Sequence, residues 1–224
     1  LVIMTGAFLL LTPMARRPGV DVSFVDALFT STSAVCVTGL IAIDTYDTFS
    51  VFGRAVVALL IQVGGLGVTS VGAGVILAAG KSFKGRLLIK EGLNVDSFKG
   101  VVGLVKSVLL MTFCFELAGV ILSFIVFVQD YSPLNALGIS VFHSIAAFNN
   151  SGFDVLGGLQ NLIPYRDNVL LNLTTCGLIL FGGLGFLVML DICRAKSFRK
   201  LTFHSKVVIT TTAALLVIGT LLLK

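Results

Sequence analysis

The 224-residue sequence predicts an all-α integral membrane protein built from tandem units of a helix, a re-entrant helix with a loop, and a second helix. Three observations carry this prediction. Hydrophobic residues make up 56% of the chain and charged residues only 12%, too little polar surface to cover a soluble core. Apolar runs at about 53–79, 101–128, 168–193 and 206–223 each reach the roughly 20 residues needed to cross a ~30 Å hydrocarbon layer. A polar loop pattern also occurs twice with identical spacing, as Phe29-x-Ser31-x-x-Ala34-x-x-x-Thr38-Gly39-Leu40 and Phe142-x-Ser144-x-x-Ala147-x-x-x-Ser151-Gly152-Phe153. Each copy precedes an apolar segment carrying Gly-Gly-Leu-Gly, at 64–67 and at 182–185.

Repeat one occupies 1–80. Residues 1–12 read as the end of an outer helix, with no basic leader or cleavage site of a signal peptide. The loop 14–23 ends at Ser23, a plausible N-cap, and a short helix follows over 24–34. Eleven residues at 1.5 Å each cover roughly 16 Å, half of the hydrocarbon layer, so this segment must enter and return on one side. The loop 35–40 and an inner helix over 53–79 complete the unit. A basic loop, 81–100, separates it from repeat two at 101–193. There the outer helix is 101–128, and Ser132-Pro133 supplies an N-cap and a first-turn proline for a short helix over 133–147. The loop 148–153 and an inner helix over 168–193 follow. Residues 194–224 read as a further basic loop and the first helix of a third repeat, so the sequence reads as a fragment of a longer repeat series.

Charge sets the orientation, because Lys and Arg stay on the cytoplasmic side of short loops. Lys81, Lys84, Arg86, Lys90, Lys99 and Lys106 crowd one connection and Arg194, Lys196, Arg199, Lys200 and Lys206 the next, which places 81–100 and 194–206 inside. The opposite face carries Asp21, Asp26, Asp44, Asp47, Asp130, Asp154 and Asp167 against Arg16, Arg17, Arg54 and Arg166, a negative field for arriving cations. Tyr46, Tyr131 and Tyr165 all fall at that outer boundary, where amphipathic rings sit among headgroups. The net charge of +5 follows from topology and not from nucleic-acid binding, since no aromatic stacking platform accompanies the basic residues. Cys36, Cys114, Cys176 and Cys193 lack metal-ligand spacing and read as small apolar side chains; no bound cofactor is expected.

Non-helical backbone inside a bilayer is tolerated only when buried in protein or lining a watery cavity, so two such loops imply a pore. Each short helix aims the negative end of its dipole at its loop, which favours a cation there. Stripping a small ion of water costs on the order of 20 kcal/mol in the idealised limit, so ligands must be numerous and pre-oriented. The backbone carbonyls of Val37, Thr38, Gly39, Asn150, Ser151 and Gly152 are the candidate ligands, forming an ion-selectivity filter open to the outside. Gly39 and Gly152 suit a backbone in which successive carbonyls share one direction, a geometry that often needs φ > 0.

The segments 32–40 (Thr-Ser-Ala-Val-Cys-Val-Thr-Gly-Leu), 60–67 (Leu-Ile-Gln-Val-Gly-Gly-Leu-Gly), 142–154 (Phe-His-Ser-Ile-Ala-Ala-Phe-Asn-Asn-Ser-Gly-Phe-Asp) and 182–186 (Gly-Gly-Leu-Gly-Phe) resemble the Trk/Ktr/HKT superfamily of potassium transporters. The resemblance covers essentially the whole chain, in the expected order. It implies a pore-forming membrane subunit with four units arranged pseudo-fourfold, each giving one filter glycine, here Gly39 and Gly152 from the first two. It further implies K+ as substrate, Na+ as a coupling or stimulating ion, residence in the plasma membrane, a homodimer, and a cytoplasmic nucleotide-binding ring as regulator. In the plant branch a serine in place of the first filter glycine accompanies sodium selectivity, so Gly39 points to potassium.

Other residues have plainer readings. The Gly-Gly-Leu-Gly segments favour close helix packing over hinging. Glu116, deep in its span, is expected to face protein in a hydrogen-bonded role rather than as an ion site. Asp191 is expected to pair with Arg194, and His143 to pack behind the filter. Asn172-Leu-Thr174 and Asn149-Asn150-Ser151 match a glycosylation acceptor by chance, lying in membrane-embedded sequence. A membrane-embedded enzyme would need paired intramembrane acids or a His/Cys/Asp constellation, which this sequence does not offer. A non-conducting regulatory or scaffold homologue is the remaining alternative.

Overall fold

The computed structural model describes residues 1–67, 98–195 and 197–222, without the side chains of 98–102 and 104. Among the described residues it is all-helical, with nine α-helices and no β-strand; Arg16 and Phe49 form one isolated antiparallel bridge. The chain divides into two compact units, Leu1–Ile179 and Leu180–Lys224.

The first unit begins with α1 (Val2–Leu11). Helix α2 (Phe24–Val35) starts at a full capping box, in which Ser23 Oγ accepts from Asp26 N at 3.1 Å and Asp26 Oδ2 accepts from Ser23 N at 3.3 Å. A short helix, α3 (Thr45–Thr48), leads into α4 (Val51–Gly65), whose cap Ser50 donates to the Met14 carbonyl at 2.6 Å and so ties the start of the helix to the loop after α1. The long α5 (Phe98–Phe127), α6 (Pro133–Phe148) and most of α7 (Val169–Gly183) complete the unit. Phe49, Phe127, Leu10, Ile61 and Leu171 are the largest fully buried side chains of its core.

The sequence repeat is also a contact repeat. Ser31 Oγ on α2 donates to the Ile3 carbonyl of α1 at 2.7 Å, and Ser144 Oγ on α6 donates to the Glu116 carbonyl of α5 at 2.6 Å. A hydroxyl in apolar surroundings needs such a partner, and a backbone carbonyl supplies it only if the helices lie close. Glycine permits that approach. A Cβ on Gly6 would lie 2.5 Å from Ser31 Oγ and 2.7 Å from Leu60 Cδ1 of α4. A Cβ on Gly119 would collide with Ser144 Oγ and lie 2.7 Å from Leu178 Cδ1 of α7. Outer, short and inner helices therefore meet in the same way twice.

The expected inner helix at 53–79 is described only as α4; Gly67, at φ +79°, leaves helical geometry, and residues 68–79 and the basic loop to 97 lie outside the described residues. In the second unit, Gly185 at φ +84° interrupts the apolar run expected as one helix over 168–193. Two helices result, α7 and α8 (Phe186–Ala195). Both left-handed glycines are the last of a Gly-Gly-Leu-Gly segment, the residue type that enters this geometry at least cost. Helix α9 (Phe203–Leu222) follows a 3₁₀ turn at Phe198–Lys200. The expected Asp191–Arg194 pair is replaced by another partner: Asp191 Oδ2 accepts from Thr202 N at 2.9 Å and from Thr202 Oγ1 at 2.8 Å, which caps the start of α9.

Residues Val105–Phe127 of α5 and Phe203–Leu222 of α9 are long and apolar enough to cross a membrane, and α7 with α8 qualifies as a broken pair; α1, α2, α4 and α6 are shorter apolar helices. Leu110 and Phe113 of α5 are each 60% exposed, an outward apolar face suited to lipid as solvent. The glycine packing makes a signed prediction for the full-length protein in detergent. Gly119→Ala should lower the thermal midpoint through ~1–3 kcal/mol of overpacking. Gly177→Ala, with open space at its Cβ, should hold or raise it through the ~1 kcal/mol helix preference of alanine.

Candidate functional site

The two short helices end alike. After α2, Cys36 is still right-handed (φ −82°, ψ −2°), then Val37 has φ +54° and Gly39 φ +72°. After α6, Asn149 has φ −82° and ψ 2°, Asn150 φ +57° and Gly152 φ +72°. Left-handed residues thus flank Thr38 and Ser151 in register. The amide groups turn back onto the helix ends: Thr38 N donates to the Ser33 carbonyl at 3.0 Å and Ser151 N to the Ala146 carbonyl at 2.9 Å. Val37 N and Asn150 N donate likewise to Ala34 and Ala147, at 3.3 and 3.1 Å. Among the described residues, no hydrogen bond is made to the carbonyls of Val37, Thr38, Gly39, Asn150, Ser151 or Gly152. The amides of residues 36–38 and 149–151 are committed to the helix ends, while these six acceptors stay free next to the negative ends of two helix dipoles.

The loops also meet. A Cβ on Gly39 would lie 2.6 Å from the Ser151 carbonyl oxygen and 3.2 Å from Gly152 Cα, so glycine is required there by backbone contact as well as by φ. Val37 is unusual, since a β-branched side chain at positive φ costs of order 1–3 kcal/mol and persists only where its surroundings enforce it. Asn150, in the matching place, belongs to a residue type that tolerates this region.

Different contacts hold the two loops from behind. In loop one Thr38 Oγ1 lies 3.0 Å from Ser33 Oγ, which donates to the Leu40 carbonyl at 2.7 Å. In loop two Ala146 stands where Ser33 would be, and Ser151 Oγ is buried without a partner. Asn149 acts there instead, its Nδ2 lying 3.0 Å from Gln62 Oε1 of α4, 3.3 Å from Glu116 Oε1 of α5 and 2.8 Å from the Ile145 carbonyl. Gly65 accommodates this side chain, for a Cβ there would collide with Asn149 Oδ1, while Gly64 packs against the Val35 carbonyl. Glu116 thus has the hydrogen-bonded role expected of it. The sequence assigns Gln62 and Asn149 no role at the loops; the available signal is the departure of Asn149 from Cys36 at an otherwise matched position. His143 is buried behind loop two, with Nε2 3.0 Å from Thr175 Oγ1 and its ring edge-on to Phe127 at 5.8 Å.

On the loop face, acidic side chains bind one repeat to the other. Asp44 caps α3 and accepts from Leu159 N at 2.8 Å, and Asp47 accepts from Gly158 N at 3.0 Å. Burial, with the charge of nearby Asp44 adding to it, raises the Asp154 carboxyl above its ordinary 3.8, against the opposing hydrogen bond from Leu156 N. Tyr165 donates to Asp130 at 2.8 Å and is raised by burial and by that carboxylate. No cluster of His, Cys, Asp or Glu suited to a metal occurs among the described residues, and the four cysteines are free and exposed.

Apolar helices of membrane-spanning length, with two short apolar helices that end in matching loops, are the features of a helical membrane protein. The TrkH family model, described as a cation transport protein, matches residues 5–219, and the chain belongs to that family, which is one of transporters and not of enzymes. It is 37% identical over 224 residues to the potassium/sodium uptake protein NtpJ of Enterococcus hirae, covering 99% of this chain and 49% of that protein. It is 38% identical to the Ktr system potassium uptake protein B of Bacillus subtilis, over 96% of this chain and 48% of that one. The protein of the same name from Vibrio alginolyticus is 33% identical over 99% and 49%. The chain therefore spans about half the length of the curated relatives it matches.

Two predictions test the loop physics by thermal unfolding of the full-length protein. Val37→Gly should raise the midpoint, as release of ~1–3 kcal/mol of strain exceeds the ~0.5–1 kcal/mol backbone-entropy cost of glycine, whereas Gly39→Ala should lower it. For Asp154, a raised folded-state pKa gives a stabilising contribution that is full below the ordinary 3.8 and is lost as pH rises through the raised value. Asp154→Asn should therefore abolish that fall in stability above about pH 4 while keeping an acceptor for Leu156 N; an unchanged pH profile would contradict the assignment.

Proposed function

We propose that this chain forms the first two filter-bearing units of a potassium uptake protein, a pore-forming subunit of a Trk/Ktr-type system in the plasma membrane. The observation that carries the reading is the set of six uncommitted carbonyls, at Val37, Thr38, Gly39, Asn150, Ser151 and Gly152, at the C-terminal ends of two short helices. Carbonyl dipoles held in place by their own amides replace the hydration shell of a cation without reorganising when the ion arrives. Relatives named for potassium uptake support K+ as the ion, and the name of NtpJ supports a role for Na+ as a second substrate or coupling ion.

In this reading the repeat units are 1–80 and 101–193, with 194–224 opening a third, and two further loops complete a pseudo-fourfold filter. The loops open to the outside, where Asp44, Asp47, Asp130 and Asp154 add negative potential. The basic segments 81–100 and 194–206 face the cytoplasm and offer docking surfaces for a nucleotide-binding ring beneath a homodimer.

The test is ion uptake by the full-length protein in proteoliposomes. Wild type should prefer K+ over Na+, and Gly39→Ser should reduce that preference about ten-fold, the effect of ~1.4 kcal/mol of lost filter geometry. Unchanged preference in Gly39→Ser would count decisively against the filter assignment, and absence of cation uptake by wild type would favour a non-conducting homologue.

A further inference from the structure

We propose that Asn149 is a positioning residue for the second filter loop, braced by Gln62 and Glu116, and that this brace helps set discrimination between K+ and Na+; the proposal rests on the filter reading above. Asn149 ends helix α6 and directly precedes Asn150, the first carbonyl of that loop. Its Nδ2 reaches acceptors on three elements: Gln62 Oε1 of α4 at 3.0 Å, Glu116 Oε1 of α5 at 3.3 Å and the Ile145 carbonyl of its own helix at 2.8 Å. The side chain is buried, at 7% exposure, so these bonds form where polar groups interact strongly and an unpaired amide is costly.

The symmetry of the repeats shows that the brace is not part of the shared scaffold. The scaffold bonds occur twice, as Ser31 with the Ile3 carbonyl and Ser144 with the Glu116 carbonyl. At the same positions repeat one has Ile3 for Glu116 and Cys36 for Asn149, so neither partner of the brace has a counterpart there. Loop one is latched instead through Ser33, and loop two lacks that latch because Ala146 replaces it, leaving the Ser151 hydroxyl buried and unpartnered. Asn149 thus ties loop two to α4 and α5, where Ser33 ties loop one to its own helix α2. Since Gln62 lies on the inner helix of repeat one, the brace joins the second loop to the neighbouring repeat. Where a filter discriminates through the placement of its carbonyls, a loosened loop adapts to the smaller ion and loses selectivity before it loses transport.

The experiment measures K+ and Na+ uptake by the full-length protein in proteoliposomes, with the apparent KM for each ion and the thermal midpoint of each variant. Asn149→Leu, Gln62→Leu and Glu116→Leu should each lower the K+/Na+ preference at least five-fold, mainly through a raised KM for K+. Glu116→Gln, which keeps an Oε1 acceptor, should stay within two-fold of wild type. Should Asn149→Leu fail to fold, the half-buried Gln62 decides the matter through Gln62→Leu. Leucine variants that lower only the maximal rate or the midpoint, with preference intact, would reduce the brace to a structural role and overturn the proposal. Wild type that takes up neither ion would overturn the filter reading and this proposal with it.

Discussion

The rest of the structure depends on one constraint, that backbone amides and carbonyls leaving a helix inside an apolar medium must find partners in the protein or face water or ions. Loops one and two meet it asymmetrically. The N–H groups of Val37, Thr38, Asn150 and Ser151 return to carbonyls of their own helices, which closes each turn within a few residues. The carbonyls of 37–39 and 150–152 are left over, since the amides of 36–38 and 149–151 are spent on the helix ends. Alternating left-handed residues at 37 and 39, and at 150 and 152, are the geometric consequence.

The packing around the loops answers the same constraint at one remove. Helices of 12 and 16 residues are too short to cross a bilayer, so α2 and α6 gain their position from neighbours. Ser31 and Ser144 fasten them to the outer helices, and Gly6 and Gly119 allow the approach. Gly64 and Gly65 serve the inner side, one against the Val35 carbonyl and the other against Asn149. The first glycine tetrapeptide is therefore a packing surface that ends in the left-handed Gly67.

Much of this was legible in the sequence, and the parts that were not share a physical cause. Local chemistry was readable: Ser23 and Asp26 make the capping box that the start of α2 requires, and the paired glycines at 39 and 152 do adopt positive φ. The break at Gly185 was missed because hydropathy is blind to a single glycine in an apolar run, whereas backbone geometry is not. The Thr202 cap on Asp191 was missed because a near neighbour, Arg194, offered a simpler pairing by charge, and the hydrogen bonds of a helix start are stronger than an exposed ion pair. The Gln62–Asn149–Glu116 contacts join positions far apart in the chain, so no local pattern reports them; only the mismatch between the two copies of the repeat hinted at their place.

The two loops share a backbone and differ in how it is enforced. Loop one carries a strained residue, Val37, but its hydroxyl latch from Thr38 through Ser33 to the Leu40 carbonyl closes within the segment itself. Loop two places Asn150, a residue suited to positive φ, at the same point, and so needs less force to hold its shape. It lacks the internal latch, however, and its restraint comes from α4 and α5 through Asn149. The first loop is therefore a property of its own sequence, while the second is a property of how the repeats pack. Gln62 stands only two residues before Gly64, so the restraint on loop two is only as rigid as the glycine-lined contact that seats α4 against Val35.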